Sequence, residues 1–434
     1  MQIKIPEFKF NVITLISIIY LTVCVAYTVN FIPLWLKLLG GNTFFSAVAK
    51  NPFYACDYNR YYLAAYLTAH GYGHDFFDPG LQDKLYVSLI PNLMPFDRYI
   101  DYPPYLGVVL LPLLLLAINN GYIVFTLLSV LFFFYSLYKL NNELGYLTKF
   151  NFIAYGFGVF ACTLTMYNIL IGQLNFLLFG CLNLFIIALA KYNDFKYSLT
   201  TFLLVCKPHY FCFFYPLLLM VKKNRLFLAG LFVLAFLLVL SVLITGFDNT
   251  FNYPKILYEI HTNYTYHGTK LTNFTLHKDF LVSLRYLIDS MFTTSVANYV
   301  SLACLALGSL AAWFFMKKCN FNDREEFNWY ISVLILAFCL ISPHFFQHDL
   351  LILAIPALLT LKTLDLNKII HYEFNYKIWC LIFYFYPALS WVIALTSGGN
   401  SSRYDYREIS NLLIDLILFG LALNQYFKIK KGQA

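Results

Sequence analysis

The chain has 434 residues, of which 60% are hydrophobic and 12% charged, with 30 Lys and Arg against 22 Asp and Glu for a net charge of +8. Soluble domains carry about 25% charged residues, so this chain cannot make an ordinary polar skin. A cytosolic enzyme, a disordered chain and a nucleic-acid binder are excluded, and a polytopic membrane protein remains.

At about 20 residues per span, the apolar share supplies roughly ten to twelve transmembrane helices, which predicts an all-α fold and a single membrane domain over 1–434. The apolar run 11–39, behind Lys4 and Lys9, is too long for a signal-peptide core and reads as a first span or signal anchor. Residues 40–104 are the longest polar stretch and predict a large first outer loop bearing interfacial helices. Apolar runs follow at 105–118, 121–138, 150–167, 170–190, 197–221 and 226–245, then a second outer loop over 246–294 with an amphipathic segment at 276–287. Further runs lie at 295–316, 327–341, 348–361, 374–396 and 408–427.

Orientation follows from the basic clusters. Lys222–Arg225, Lys317–Arg324, Lys362–Lys368 and Lys428–Lys431 read as cytoplasmic. That places 40–104, 246–294, 342–349 and 397–407 together on the outer side. If every run spans, the total is twelve and Lys139, Lys149, Lys191 and Lys196 fall outside. If 105–118 and the Pro-broken 197–221 are half-helices, ten spans remain and those lysines fall inside, which the positive-inside rule favours. The ten cysteines have no CxxC spacing and read as buried thiols.

Four clusters carry unusual residues. The first outer loop begins Asp57-Tyr58-Asn59-Arg60-Tyr61-Tyr62, in which Asp57 at an interface suits general-base work, with a solvated loop carboxylate as the alternative. Its aromatics and Ala64-Ala65 fit an amphipathic helix lying on the membrane. The loop closes with Asp101-Tyr102-Pro103-Pro104, where the double Pro stops a helix and sets the re-entry into the membrane. Gly172-Gln173-Leu174-Asn175 puts two amides into apolar sequence, where they need a helix partner or a polar ligand.

Lys207-Pro208-His209-Tyr210 breaks an apolar run. A lysine there costs ~2.5–3.5 kcal/mol on insertion, and Pro208 frees backbone groups that want a cavity. A phosphate clamp and a snorkelling lysine are both open. Ser342-Pro343-His344-Phe345-Phe346-Gln347-His348-Asp349 places His344 and His348 one helical turn apart. Without an HExxH pattern they suit phosphate or sugar hydroxyls better than zinc. The 246–294 loop adds His261, Tyr264, Tyr266, His267 and His277.

The order of these pieces resembles glycosyltransferase family 87, of the GT-C fold, over roughly residues 11–361. The carriers are Asp57-Tyr58 with Tyr61-Tyr62 and Ala65, Asp78-Pro79, Tyr102-Pro103-Pro104 with Leu111-Pro112, Gly172-Gln173-Leu174-Asn175, Lys207-Pro208 with Pro216, and Ser342-Pro343-His344 with His348. The resemblance implies a GT-C-like bundle that takes a sugar, commonly mannose or arabinofuranose, from a polyprenyl-phosphate donor to a glycolipid or glycan acceptor. The expected place is the lipid bilayer of a bacterial cytoplasmic (inner) membrane, with the site facing the periplasm. It casts Asp57 as catalytic base, and Lys207 and His344 as contacts to the donor phosphate or sugar. His209, His348, Gln173, Asn175, Arg60, Tyr61 and Tyr102 complete the expected binding set. GT-C loops often open on paired acids, whereas Tyr58 follows Asp57 here, so no metal and no cofactor are expected. A transporter or flippase for lipid-linked sugars is the alternative outside this class. A protein O-glycosyltransferase and a lipid A-modifying transferase are alternatives within it.

Overall fold

The computed structural model describes residues 55–89, 99–161, 163–191, 197, 204, 206–263, 265–266, 269–270, 281–361 and 404–432. The expected spans 11–39 and 374–396, and His267 and His277, lie outside the described residues. The chain is an all-α polytopic membrane protein. Among the described residues four helices are long and apolar enough to cross a membrane: Ile118–Glu143, Asn224–Glu259, Ser295–Phe315 and Leu412–Lys430. A two-stranded hairpin, Thr265–Tyr266 against Thr269–Lys270, lies in the second outer stretch.

The Ile118–Glu143 helix shows why apolar sequence is needed on both faces. Tyr122, Phe125, Ser129, Phe133, Ser136, Leu137 and Leu140 form a buried stripe at helical spacing. Val124, Leu127, Leu128, Leu131 and Tyr135 on the other side are exposed, which suits lipid rather than water. The stripe packs on Asn175–Ala190, and Asn183 Nδ2 donates to Ser136 Oγ at 2.9 Å inside the interface.

Two of the runs expected to be ambiguous do not form full-length helices. Residues 105–118 give Tyr105–Val109 and a 3-10 turn at Leu111–Leu115, each 5 residues long, far short of a span. In 197–221 the described helices are Pro208–Phe214 and Leu217–Met220, separated at Pro216. A proline cannot donate into the preceding turn, so each segment starts at or beside one. In the run 150–167 the described helical residues are Lys149–Ala161 and Thr163–Ile171.

The Cys56–Ala69 helix was expected to lie on the membrane surface. It is instead enclosed by protein: Asp57, Tyr58, Asn59, Arg60, Tyr61, Leu63, Ala64, Ala65, Leu67 and Thr68 are all buried. The reason is the cover provided by Tyr105–Val109 and the 111–115 turn, while the long helix Asn224–Asn263 packs on Tyr105–Val109 and on the 73–75 turn. That helix is 40 residues long and kinks at Gly246, whose φ of 84° is open to glycine at little cost. Its first limb, 224–245, is about 33 Å long and matches the hydrocarbon thickness. Beyond the kink, Asn249 donates to the carbonyls of Gly73 and His74 at 3.1 and 2.7 Å, clasping the turn after the Cys56–Ala69 helix. Tyr253 and Ile256 join Leu63, Leu67, Phe76 and Phe77 in one apolar cluster.

Charge separates along the bundle. Gly121, near the start of the Ile118–Glu143 helix, lies against Tyr58. At the helix's far end, Lys191 pairs with Glu143 at 2.9 Å, Arg324 donates to the Leu144 carbonyl at 2.7 Å, and Lys430 pairs with Glu326 at 2.6 Å. Lys191 thus shares an end with Arg324, as the half-helix reading requires.

Candidate functional site

Four segments that are far apart in sequence meet near Asp57. The Cys56–Ala69 helix starts from Ala55, whose N–H donates to the Leu170 carbonyl at 2.8 Å. Just beyond Leu170 the chain turns at Gly172, with φ of +72°. A Cβ there would lie 2.5 Å from Tyr58 Cβ and 3.1 Å from Tyr122 Cε2. Only glycine allows both the left-handed turn and the close approach. The turn delivers Gln173 to Asp57, and Asn175 to the first position of the Asn175–Ala190 helix.

Asp57 is bound on both oxygens: Arg60 donates to Oδ1 and the Gln173 amide to Oδ2. Arg60 also donates through Nη1 to Asp101 Oδ1 at 3.0 Å, and its guanidinium lies 5.9 Å from the Tyr102 ring centroid. Tyr61 Oη donates to Gln173 Oε1 at 3.2 Å and lies 3.0 Å from Tyr102 Oη. Burial, then the neighbouring Asp57, pushes the Tyr61 phenol well above its ordinary range. For Tyr102, burial leads and the nearby Tyr61 and Asp57 add to it. Both phenols therefore stay protonated and act as hydrogen-bond donors.

A second group of polar residues lies behind Gln173. Lys207 Nζ donates to Asp349 Oδ1 at 2.6 Å and to Asn175 Oδ1 at 2.9 Å. The Lys207 side chain is 9% exposed and Asp349 0%, so this is a buried ion pair. Asp349 Oδ2 accepts the Phe346 N–H at 3.0 Å, which starts the Gln347–Leu353 turn. Asn168 and Asn175 both donate to the His348 carbonyl, at 2.8 and 3.2 Å, and Asn175 donates to Asn168 Oδ1 at 2.9 Å. The His348 ring then reaches the first group, with Nε2 3.3 Å from Gln173 Nε2. Gln173 and Asn175, two residues apart on one turn, join the two groups into one network.

Of the residues expected from sequence, Asp57, Arg60, Tyr61, Tyr102, Gln173, Asn175, Lys207 and His348 come together here. His209 and His344 sit to one side, ring centroids 6.1 Å apart, with His209 stacked 5.9 Å from Phe338 and His344 edge-on to Phe346. Phe346 also stacks on the His348 ring at 5.5 Å. The structure bears on the snorkelling alternative for Lys207. It does not snorkel: its side chain is buried and its ammonium is paired with Asp349. Asp349, Asn168 and Asp101 were not expected. Asp349 had a signal: a lysine inside apolar sequence needs a carboxylate, and this one is joined to His348. Among the described residues no group of three or more His, Cys, Asp or Glu is placed to hold a metal ion.

A family model for glycosyltransferase family 87 matches residues 99–343, more than half of the chain. The chain belongs to glycosyltransferase family 87. It is accordingly a membrane glycosyltransferase, and the reading as a transporter falls away. The match is narrower than the 11–361 expected; it includes Tyr102, Gln173, Asn175, Lys207 and His209, with Asp57 before it and His344 and His348 just after it. Neither the curated proteins nor the solved structures contain a match.

Two outcomes follow for the scaffold of the transferase. Lys207→Met should destabilise the detergent-solubilised protein by about 3–5 kcal/mol, because Asp349 would be left buried and unpaired. The double change Lys207→Met with Asp349→Leu should regain most of that in thermal unfolding; a single variant as stable as wild type would remove the pair from the scaffold. Gly172→Ala should cost at least about 1–2 kcal/mol from the left-handed turn alone. An unchanged melting midpoint in that variant would show that the turn accepts a methyl group against Tyr58.

Proposed function

We propose that the transferase is inverting and moves mannose from a polyprenyl-phosphate donor to a glycolipid or glycan acceptor, on the periplasmic face of a bacterial inner membrane. The observation that carries this reading is the Asp57 carboxylate, buried, oriented on both oxygens, and joined through Gln173 to His348. A general base has to be fixed in direction while keeping lone pairs for the incoming proton. Arg60 and Gln173, one on each oxygen, set that direction.

In the proposed step the acceptor hydroxyl oxygen forms a bond to the anomeric carbon while the bond from that carbon to the donor phosphate oxygen breaks. The hydroxyl proton passes to Asp57. The phosphate leaves on the opposite face with the bonding pair, so the configuration inverts, as in inverting hydrolases where water takes the acceptor's place. His348, with His344 and His209 beside it, supplies donors for the leaving phosphate, and Lys207 holds that wall in place through Asp349. Tyr61 and Tyr102 offer ring faces and phenolic donors to a sugar.

The face is inferred from charge. The Glu143–Lys191, Arg324 and Glu326–Lys430 contacts gather at the end of the bundle remote from Tyr58, and basic loop residues favour the cytoplasm. Asp57 would then face outward, where a lipid-linked sugar needs no soluble nucleotide. The resemblance implies mannose or arabinofuranose as the transferred sugar, so the two donors are to be compared directly.

Purified protein given radiolabelled polyprenyl-phosphate mannose and a lipid extract should yield a labelled glycolipid or glycan, with little product from the arabinofuranose donor. Asp57→Asn should lower turnover by about 10²–10⁴-fold with its melting midpoint retained. Turnover near wild type in that variant would remove Asp57 as the base. His348→Ala should raise the donor KM more than the acceptor KM, and an unchanged donor KM would take His348 out of the donor site.

A further inference from the structure

Asp101 lies outside the binding set read from the sequence, yet it is held more firmly than a loop carboxylate needs to be. The residue before it, Ile100, donates its N–H to Gln82 Oε1 at 3.0 Å, and Gln82 is itself anchored by donating to the Phe76 carbonyl at 2.7 Å. The residue after it, Tyr102, is tied to Tyr61 at 3.0 Å and is followed by Pro103-Pro104. The Asp101 carbonyl accepts from Tyr253 Oη at 3.1 Å, from the limb of the long helix beyond Gly246. Three independent elements thus fix the backbone at this one residue, and its carboxylate meets the outer nitrogen of Arg60.

The guanidinium is a planar fork that can bind one carboxylate through two parallel hydrogen bonds. Here the fork is divided, with Nη2 on Asp57 and Nη1 on Asp101. Among the described residues, four elements supply groups that face Asp57 or its partners. Its own helix supplies Arg60 and Tyr61, the 99–104 segment supplies Asp101 and Tyr102, the turn at Gly172 supplies Gln173, and the Gln347–Leu353 turn supplies His348. Lys207 and Asp349 lie behind Asn175 and cancel one another. Among the described residues one cation is thus shared by two carboxylates.

Resting on the reading of Asp57 as base, we propose that Asp101 is a positioning residue for sugar transfer: it draws off one arm of Arg60, so that Asp57 is oriented by the guanidinium without being neutralised by it. Without Asp101 the whole fork would turn onto Asp57, occupy both of its oxygens, displace Gln173 and oppose uptake of the acceptor's proton.

The test is the pH dependence of kcat/KM in the full-length reconstituted enzyme, with polyprenyl-phosphate mannose as donor. Asp101→Asn should lower kcat about tenfold at neutral pH, leave both KM values within about twofold, and move the acid limb to lower pH by about one unit, since a carboxylate given a closer cation gives up its proton more readily. The measurement is repeated in His348→Gln, so that titration of the imidazole does not enter the limb. An acid limb that stays in place, or moves to higher pH, overturns the proposal. Should Asp101→Asn fail to fold, the comparison passes to Arg60→Gln with and without Asp101→Asn, where both partners of the pair are removed together. With no fork left to redirect, the double variant should keep the acid limb of Arg60→Gln alone, and a limb that falls further in the double variant overturns the proposal. Failure of the underlying reading gives a different result: Asp57→Asn would then retain turnover and the same acid limb.

Discussion

A cation buried among apolar helices has to find a carboxylate, and in this transferase the Lys207–Asp349 pair is the contact on which the site is built. Unpaired, either charge would cost several kcal/mol inside the bundle. Once paired, the two residues tie the start of the Pro208–Phe214 helix to the Gln347–Leu353 turn, 142 residues apart in sequence. Pro208 makes this possible by breaking the apolar run at the lysine, so that Lys207 sits in extended backbone rather than in a continuous helix. The ammonium's second contact, to Asn175, brings in the Asn175–Ala190 helix, and Asn175 with Asn168 holds the His348 carbonyl. Each polar group here meets another, as a low-dielectric interior demands.

The second constraint is steric. Gly172 lets the chain pass against Tyr58 with a backbone conformation that a side chain would oppose, and this passage puts Gln173 on one side of the turn and Asn175 on the other. Gln173 works as an amide should between two ionisable groups. Its nitrogen serves Asp57 and faces the His348 ring, while its oxygen accepts from Tyr61. A hydrophobic residue at either 173 or 175 would strand a buried partner. The amide pair in apolar sequence is thus explained by the two charged groups it joins.

Much of this was legible in the sequence because charge is so scarce. Asp57, Gln173, Asn175, Lys207 and His348 were visible as polar residues where apolar ones were expected, and the structure brings them into one network. The failures have physical causes. Lys207 was weighed as a phosphate clamp or a snorkelling side chain because its partner, Asp349, belongs to another cluster, and pairing across 142 residues leaves no local pattern. Asp101 carries no signal of its own in the sequence, since the neighbouring Pro103-Pro104 is a sufficient local reason for the motif. The Cys56–Ala69 helix was placed on the membrane surface because its aromatics and alanines suit an interface; they equally suit close cover by other protein elements. The break in 105–118, by contrast, was foreshadowed by Pro112 and by the lysines that a full span would misplace.

The distribution of charge also bears on how the leaving phosphate is met. With Lys207 neutralised by Asp349 and Arg60 divided between Asp57 and Asp101, neither of these buried cations is positioned as a bare counter-charge for the donor. A permanent cation beside Asp57 would attract the phosphate, but it would also hold the carboxylate's charge and weaken it as a base. Imidazoles separate the two tasks. They donate hydrogen bonds to a phosphate and add charge only as protons are available. His209, His344 and His348, linked through Phe338 and Phe346 beside the network, are placed for that division of labour. In the proposed transfer the fixed charges build the scaffold and orient Asp57, and the imidazoles meet the charge that develops on the leaving group.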